Sequence, residues 1–165
     1  MKTLYLLRHG KAFEGTVKMP DIDRPLMERG INDSYLIAAW YRKQYPVPGL
    51  VLSSSAIRAL HTACIFCRTV GYPVEKIKVN DALYEITPEG LLSMVMETNN
   101  NIDHLVVTGH NPVITEIANW YLDPEVEKIP TAGMVVIMYD CESWKELKKA
   151  EYKASMGIPK NIVLK

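Results

Sequence analysis

Five short stretches of the chain combine apolar residues with the boundaries expected of β-strands. Each is a run of a few residues that ends at a polar or turn-forming segment. The runs lie at residues 2–7, 50–52, 76–79, 104–107 and 134–139. Those at 2–7 and 104–107 indicate buried strands, whereas 76–79 is weakly apolar and is expected at a sheet edge.

Four longer segments carry apolar residues at the spacing of amphipathic helices. They lie between Pro25 and Pro46 and at residues 56–70, 88–97 and 112–121. In the first of them the recurring apolar positions are Ile31, Tyr35, Leu36, Ala39 and Trp40. Gly71 suits a helix C-cap, and Thr87 followed by Pro88 suits a helix start. The pattern assigns no clear element after Glu142.

The order of these elements predicts the fold class. Strands that alternate with helices are typical of a three-layer α/β/α sandwich with a mainly parallel sheet. A chain of 165 residues is long enough for one such domain and too short for two ordinary ones. We therefore expect a single domain over residues 1–165 with one functional site.

Polar residues follow three of the predicted strands directly. The three groups are Arg8 and His9, then Ser53, Ser54, Ser55 and Arg58, then Thr108, Gly109, His110 and Asn111. Ligands of parallel sheets bind beyond the carboxyl ends of the strands. If these strands are parallel, the three groups share one edge of the sheet and form one site.

Two arginines and two histidines at one edge suit phosphoryl transfer. Arg8 and Arg58 offer planar guanidinium donors that match phosphoryl oxygens. A neutral His9 could attack phosphorus and then lose the phosphoryl group to water, and the two arginines would disfavour its protonated form. His110 would have the opposite task, because a protonated ring can donate to a phosphoryl oxygen, and a bound phosphate dianion would favour that protonation.

Composition narrows the classes of partner. Hydrophobic residues make up 48% of the chain and charged residues 23%, which is typical of a globular protein. The formal net charge is zero, so there is no excess of Lys and Arg with which to bind nucleic acid. No apolar run approaches the ~20 residues that span a bilayer, so no membrane association is expected.

The chain start and the cysteines bear on location. The first predicted strand runs directly into Arg8, which leaves no room for a signal peptide. Three cysteines are odd in number and few for this length, which argues against a disulfide framework. Together these features predict a cytoplasmic protein. The sequence does not indicate its oligomeric state.

Motifs along most of the chain resemble those of the histidine phosphatase superfamily, also called phosphoglycerate-mutase-like, and in particular its short SixA-type phosphohistidine phosphatases. The matching segments occur in the family's order. They are Leu7-Arg8-His9-Gly10-Lys11-Ala12, Asp23-Arg24-Pro25-Leu26 with Glu28, Arg29 and Gly30, Ser54 through Arg58-Ala59 to Thr62-Ala63, Leu83-Tyr84-Glu85, and Gly109-His110-Asn111-Pro112.

The resemblance implies the same roles for the two arginines and two histidines as their side-chain chemistry does. His9 takes the position of the family's phosphorylated histidine, and Arg8, Arg58 and His110 take the other core positions. Arg24 would lie near the phosphate pocket and bind substrate. The chain departs from the family where Ser55 replaces a frequent proline and Met27 a frequent threonine, and the last quarter is only loosely similar.

Two further features have competing interpretations. Glu85 could protonate a leaving alkoxide as a general acid, or it could be a solvated loop residue. His61, Cys64 and Cys67 follow one another at a spacing that suggests metal ligands, but they lack a fourth ligand and fit a buried helix stripe better. Neither a metal nor a cofactor is expected.

These observations predict a metal-independent phosphatase with a phosphohistidine intermediate on His9. Its expected substrate is phosphohistidine in a partner protein, because small family members lack the insertions that enclose a metabolite. An alternative substrate is a small phosphate ester or a sugar phosphate. A non-catalytic phosphate-binding module is a third hypothesis, which a missing core residue would have favoured.

Overall fold

A computed structural model describes residues 1–163, which form one mixed sheet with helices on both faces. Its strands are β1 Lys2–Arg8, β2 Leu50–Ser53, β3 Lys78–Val79, β4 His104–Gly109, β5 Met134–Tyr139 and β6 Tyr152–Gly157. Its α-helices are α1 Glu28–Gln44, α2 Ile57–Val70, α3 Pro88–Met96 and α4 Val113–Asn119. No helix within the described range is long and apolar enough to cross a membrane.

The strands are ordered β3-β2-β4-β1-β5-β6 across the sheet. Strands β3, β2, β4 and β1 are parallel, whereas β5 pairs antiparallel with β1, and β6 antiparallel with β5. Arg8 of β1 lies opposite Gly109 of β4, and Ser53 of β2 lies opposite Thr108. The carboxyl ends of these three strands therefore meet at one edge, and the prediction of a mainly parallel sheet is confirmed.

Both faces of the sheet are covered by helices. On one face Tyr5 and Leu7 of β1 pack in a core with residues of α1 and α2 such as Tyr41 and Phe66. On the other face Leu4 and Leu6 pack in a core with residues of α3 and α4. Because alternate residues of β1 enter opposite cores, residues 4–7 of the strand are all apolar rather than alternating with polar ones. The predicted three-layer arrangement is confirmed.

The buried face of α1 differs from the predicted one. Its fully buried residues are Gly30, Ser34, Ile37, Ala38 and Tyr41, whereas Tyr35 of the predicted stripe is exposed. Small residues line this face because the helix lies against the loop after β1, where a Cβ on Gly30 would overlap the backbone of Lys11. Gly30 and Ser34 in the first half of this face carry no hydrophobic signal, so the periodicity indicated a neighbouring face.

The last quarter of the chain contains structure that the pattern did not assign. Strand β6 is an edge strand with mostly exposed side chains, so it lacks the apolar run of a buried strand. Before it, Trp144 is fully buried at a 3₁₀ turn that begins with a capping box between Ser143 and Glu146. At the opposite edge β3 spans only Lys78–Val79, shorter than the predicted 76–79.

Candidate active site

The carboxyl-end edge of the sheet brings four of the predicted site residues together. Arg8 ends β1, His9 follows it, His110 follows β4, and Arg58 lies in the first turn of α2 after β2. The ring centroids of His9 and His110 are 5.2 Å apart. Arg8 and Arg58 lie close enough to lower the pKa of both imidazoles.

The His9 imidazole is held in one orientation and one protonation state. Its Nδ1 lies 2.7 Å from the carbonyl oxygen of Gly10, which can only accept, so Nδ1 carries the proton and Nε2 keeps its lone pair. The pKa of His9 is lowered to about 3, chiefly by burial and to a smaller extent by the nearby His110, Arg58 and Arg8, against the opposing effect of the Gly10 hydrogen bond. The ring is therefore neutral at pH 7, as a nucleophile must be.

The backbone around His9 is fixed by hydrogen bonds to three elements. The His9 amide donates to the carbonyl of Gly109 at the end of β4, and the amide of Ala132 donates to the His9 carbonyl. The Gly10 amide donates to Oγ1 of Thr62, whose hydroxyl donates to the Arg58 carbonyl on α2. The Gly10 carbonyl that orients the His9 ring is therefore anchored to the same helix as Arg58.

The second imidazole, that of His110, is also neutral when no phosphoryl group is bound. Its Nε2 lies 2.8 Å from Oγ of the buried Ser54, and its Nδ1 is buried without a hydrogen-bond partner in residues 1–163. Burial lowers the pKa of His110 to about 4, with a further contribution from Arg58, while Asp21 opposes the shift. The protonated ring expected from the sequence would therefore need the negative charge of a phosphoryl group.

Several buried polar atoms without partners belong to residues at this edge. Arg8 donates from Nη1 to the Ile129 carbonyl at 2.8 Å, and the buried Arg58 donates from both terminal nitrogens to Asp21. Within the described range, five buried side-chain polar atoms lack a partner, and four of them are Nε of Arg8, Nε of Arg58, Nδ1 of His110 and Oγ1 of Thr108. Buried polar groups are normally paired, so this clustering is what an anion-binding site requires.

The remaining predicted site residues lie at the periphery. Arg24 donates from Nη1 to Asp21 and from Nε to the Phe13 carbonyl, at 2.8 and 2.6 Å. Glu85 is exposed and follows Tyr84, whose hydroxyl reaches Asp21. The proposed roles of Arg24 in substrate binding and of Glu85 as an acid stay predictions.

Sequence reasoning assigned no role to Asp21 or Tyr84. Asp21 lies in the 3₁₀ turn Asp21–Asp23, within the loop that connects β1 to α1, and contacts Arg58. Tyr84 follows another 3₁₀ turn, Asp81–Leu83, and its ring packs edge-on against His110. The only local signal was the spacing of Asp21 and Arg24, three residues apart, since the other contacts join distant segments.

The described residues contain no group of three or more His, Cys, Asp or Glu side chains placed to hold a metal ion. His61, Cys64 and Cys67 all lie on α2, where Cys67 is fully buried in the core. Burial raises the pKa of the Cys67 thiol to about 12. Cys67 is therefore a core residue, whereas His61 and Cys64 are only half-buried.

Comparison with known protein families shows the family to which this chain is related. The model of the histidine phosphatase superfamily (branch 1) matches residues 4–94, which is more than half of the chain. The chain belongs to this superfamily. An uncharacterized protein of Mycobacterium tuberculosis is 30% identical over 127 residues, which cover 71% of this chain and 77% of the relative. Histidine phosphatases are hydrolases of phosphoryl groups, so membership indicates that enzyme class.

Solved structures share the fold over most of their length. A protein of Agrobacterium tumefaciens, provisionally named the phosphohistidine phosphatase SixA, has a TM-score of 0.76 at 26% identity, covering 84% of this chain and 92% of that chain. The protein histidine phosphatase SixA complexed with tungstate has a TM-score of 0.74 at 24% identity, covering 96% and 98%. The SixA-type resemblance and the phosphoglycerate-mutase-like fold are confirmed.

The fold is also shared with an enzyme of a different named substrate. A mycobacterial glucosyl-3-phosphoglycerate phosphatase has a TM-score of 0.62 at 15% identity, covering 96% of this chain and 98% of that chain. At this identity the likeness concerns the fold alone. The same fold therefore occurs in phosphatases whose named substrates differ, and the substrate of this chain must be argued from its own residues.

The buried imidazoles predict a loss of stability in acid. The pKa values of His9 and His110 are about 3 and about 4 in the folded protein, whereas an unfolded histidine titrates near pH ~6.5. Between these values the unfolded chain binds more protons, so stability present above pH ~6.5 is lost as the pH falls. At pH ~5 each ring should account for up to about 2 kcal/mol of the lost free energy of unfolding.

Urea unfolding at neutral pH and at pH ~5 measures this loss. The variants His9→Gln and His110→Gln should each show a shallower pH dependence than the wild type, since neither retains the titrating ring. An unchanged pH dependence in either variant would show that burial does not hold that imidazole neutral.

Proposed function

We propose that this protein is a metal-independent phosphatase that takes a phosphoryl group onto Nε2 of His9 and releases it to water. The observation that carries the proposal is the state of His9. The ring is neutral, its Nδ1–H is fixed on the Gly10 carbonyl, and Arg8, Arg58 and His110 lie close enough to lower its pKa.

The chemistry has two steps. In the first, Nε2 of His9 forms a bond to phosphorus while the bond to the leaving group breaks and its electron pair departs with that group. In the second, water attacks phospho-His9, the P–N bond breaks, and the imidazole is regenerated with release of inorganic phosphate. The guanidinium donors of Arg8 and Arg58 stabilise the charge on the phosphoryl oxygens in both steps.

We propose phosphohistidine in a partner protein as the substrate. The chain has only 165 residues, and a site at the carboxyl ends of the strands suits a phosphoryl group presented by a partner protein. The similarity to the Agrobacterium tumefaciens protein, at 26% identity, supports this choice. Phosphohistidine also requires little of the enzyme, because its imidazole leaves neutral once the far nitrogen is protonated.

A phosphate ester is the second candidate substrate. Glu85 is exposed beside Tyr84, which contacts both Asp21 and His110, so a carboxyl group lies next to the site in sequence. The fold shared with glucosyl-3-phosphoglycerate phosphatase is compatible with ester hydrolysis. An ester differs from phosphohistidine in one requirement, since its alkoxide leaves poorly without a proton donor.

Replacement of His9 tests the intermediate. His9→Ala should abolish turnover and leave the fold intact, because the change removes the nucleophile rather than a core side chain. Wild-type protein quenched during turnover of a radiolabelled phosphohistidine substrate should carry label on His9 that is lost in acid and kept in base. His104→Gln, at the opposite end of β4, is the matched control and should label normally. Label on another residue type, or none, would contradict the mechanism.

Metal removal tests the source of positive charge at the site. Arg8 and Arg58, with His110 once a phosphoryl group is bound, supply the charge that a metal would otherwise bring. Turnover should therefore survive EDTA and dialysis, and vanadate or tungstate should inhibit it. A dialysed enzyme that regains activity only when Mg²⁺ or Zn²⁺ is returned would contradict metal independence.

Replacement of Glu85 distinguishes between the two candidate substrates. If its carboxyl group protonates an alkoxide, Glu85→Gln should lower ester hydrolysis by ~10²–10⁴-fold and largely spare phosphohistidine. Glu89→Gln, which changes another exposed glutamate at the start of α3, is the control. If neither substrate is affected, Glu85 is a solvated residue and phosphohistidine is favoured. Equal severe losses on both would mean that Glu85 acts in a shared step such as hydrolysis of phospho-His9.

A further inference from the structure

Asp21 contacts three other residues around the proposed phosphoryl site. Its Oδ2 accepts hydrogen bonds from Tyr84 at 2.6 Å and from Nη2 of Arg58 at 3.0 Å. Its Oδ1 accepts from Nη1 of Arg24 at 2.8 Å, and its backbone carbonyl accepts from Nη1 of Arg58 at 2.6 Å. Asp21 is 52% exposed, so these four hydrogen bonds from side-chain donors converge on a residue that contributes little to the core.

The contact with Arg58 has a defined geometry. Asp21 accepts hydrogen bonds from both terminal nitrogens of the guanidinium, one at its backbone carbonyl oxygen and one at its carboxylate. Because the guanidinium is planar, this contact fixes the plane and leaves the edge that carries Nε–H and one further N–H for a second anion. The Nε of Arg58 is buried and has no partner in the described part of the chain.

Tyr84 connects Asp21 to the second histidine. Its hydroxyl donates to Asp21, and its ring packs edge-on against His110 with centroids 5.7 Å apart. The hydrogen bond from Tyr84 is the largest of the effects that hold the pKa of Asp21 far below its usual range, followed by that from Arg24. Asp21 is therefore an anion throughout the working pH range, and its charge is available to Arg58.

We propose that Asp21 is a positioning residue for phosphoryl transfer, which holds the terminal nitrogens of Arg58 so that the Nε edge faces the phosphoryl group, with Tyr84 orienting its carboxylate. This inference rests on the proposed function. It adds Asp21 and Tyr84, which have no part in the two chemical steps proposed above. Asp21 itself touches neither the phosphoryl group nor His9.

The negative charge of Asp21 could also affect anion binding directly, and this effect on anion affinity is opposite in sign to that of positioning. A carboxylate near an anion site repels phosphate and competes with it for Arg58, so its removal would tighten anion binding. Loss of positioning would weaken anion binding, since Arg58 would keep its charge but lose its orientation. The sign of the change in tungstate affinity therefore separates the two roles.

The experiment measures tungstate binding by calorimetry, and turnover, in the full-length protein. Asp21→Asn should weaken tungstate binding about tenfold and lower kcat/KM by on the order of 10²-fold, mostly through kcat, because the orientation of Arg58 matters most in the transition state. Asp23→Asn is the matched control, since Asp23 is an exposed carboxylate on the same 3₁₀ turn without a contact to Arg58. It should bind and turn over as the wild type does.

Tyr84→Phe provides a second test that keeps the charge of Asp21 and the aromatic ring beside His110. Positioning predicts losses in the same direction as Asp21→Asn but smaller, whereas simple charge repulsion predicts almost no change. Thermal unfolding of each variant checks the fold, and Tyr84→Phe decides the question if Asp21→Asn does not fold. Tungstate binding that is unchanged or tighter in the folded variants would overturn the inference.

The outcomes distinguish this inference from the proposed function. If wild-type His9 becomes labelled while Asp21→Asn binds tungstate as well as the wild type, the proposed function stands and the positioning role is wrong. If Asp21→Asn weakens tungstate binding but no label reaches His9, Asp21 positions Arg58 at an anion site and the proposed intermediate is wrong.

Discussion

The parallel register of β1, β2 and β4 determines where the reactive side chains lie. Arg8 is level with Gly109, and Ser53 is level with Thr108, so the residues that follow each strand emerge at the same height. The amide of His9 continues this pairing by donating to the Gly109 carbonyl. A slip of one residue would turn alternate side chains to the opposite face and separate the imidazoles, which lie 5.2 Å apart.

Burial at the same edge sets the chemistry of the site. Removal from water is the largest cause of the lowered pKa of both His9 and His110, so packing itself keeps the nucleophile neutral. Burial also affects Arg58, because a buried cation is costly unless it is paired. Asp21 provides that pairing from the loop after β1, and the Nε–H of Arg58 stays without a partner among the described residues.

Much of this arrangement follows from the sequence. Strands buried on both faces show as apolar runs, and the residues directly after them supplied Arg8, His9 and His110 without knowledge of the contacts. The sequence-based predictions failed where the structure depends on contacts between residues that are far apart in the chain. The buried face of α1 is made of small residues that fit a neighbouring loop, and β6 is an edge strand with exposed side chains. The Asp21–Tyr84 contact joins residues 63 positions apart, which no periodicity reveals.

The lowered pKa of His110 is compatible with a donor role once the phosphoryl charge is counted. At pH ~7 a ring with a pKa of about 4 costs about 4 kcal/mol to protonate. At an effective dielectric constant of ~20, a full negative charge ~4 Å away contributes about 4 kcal/mol, and a phosphoryl dianion contributes more. The attraction therefore offsets the cost of protonation. His110 would gain its proton with the substrate rather than before it, so the two imidazoles can share one neutral state in the free protein and take different roles during the reaction.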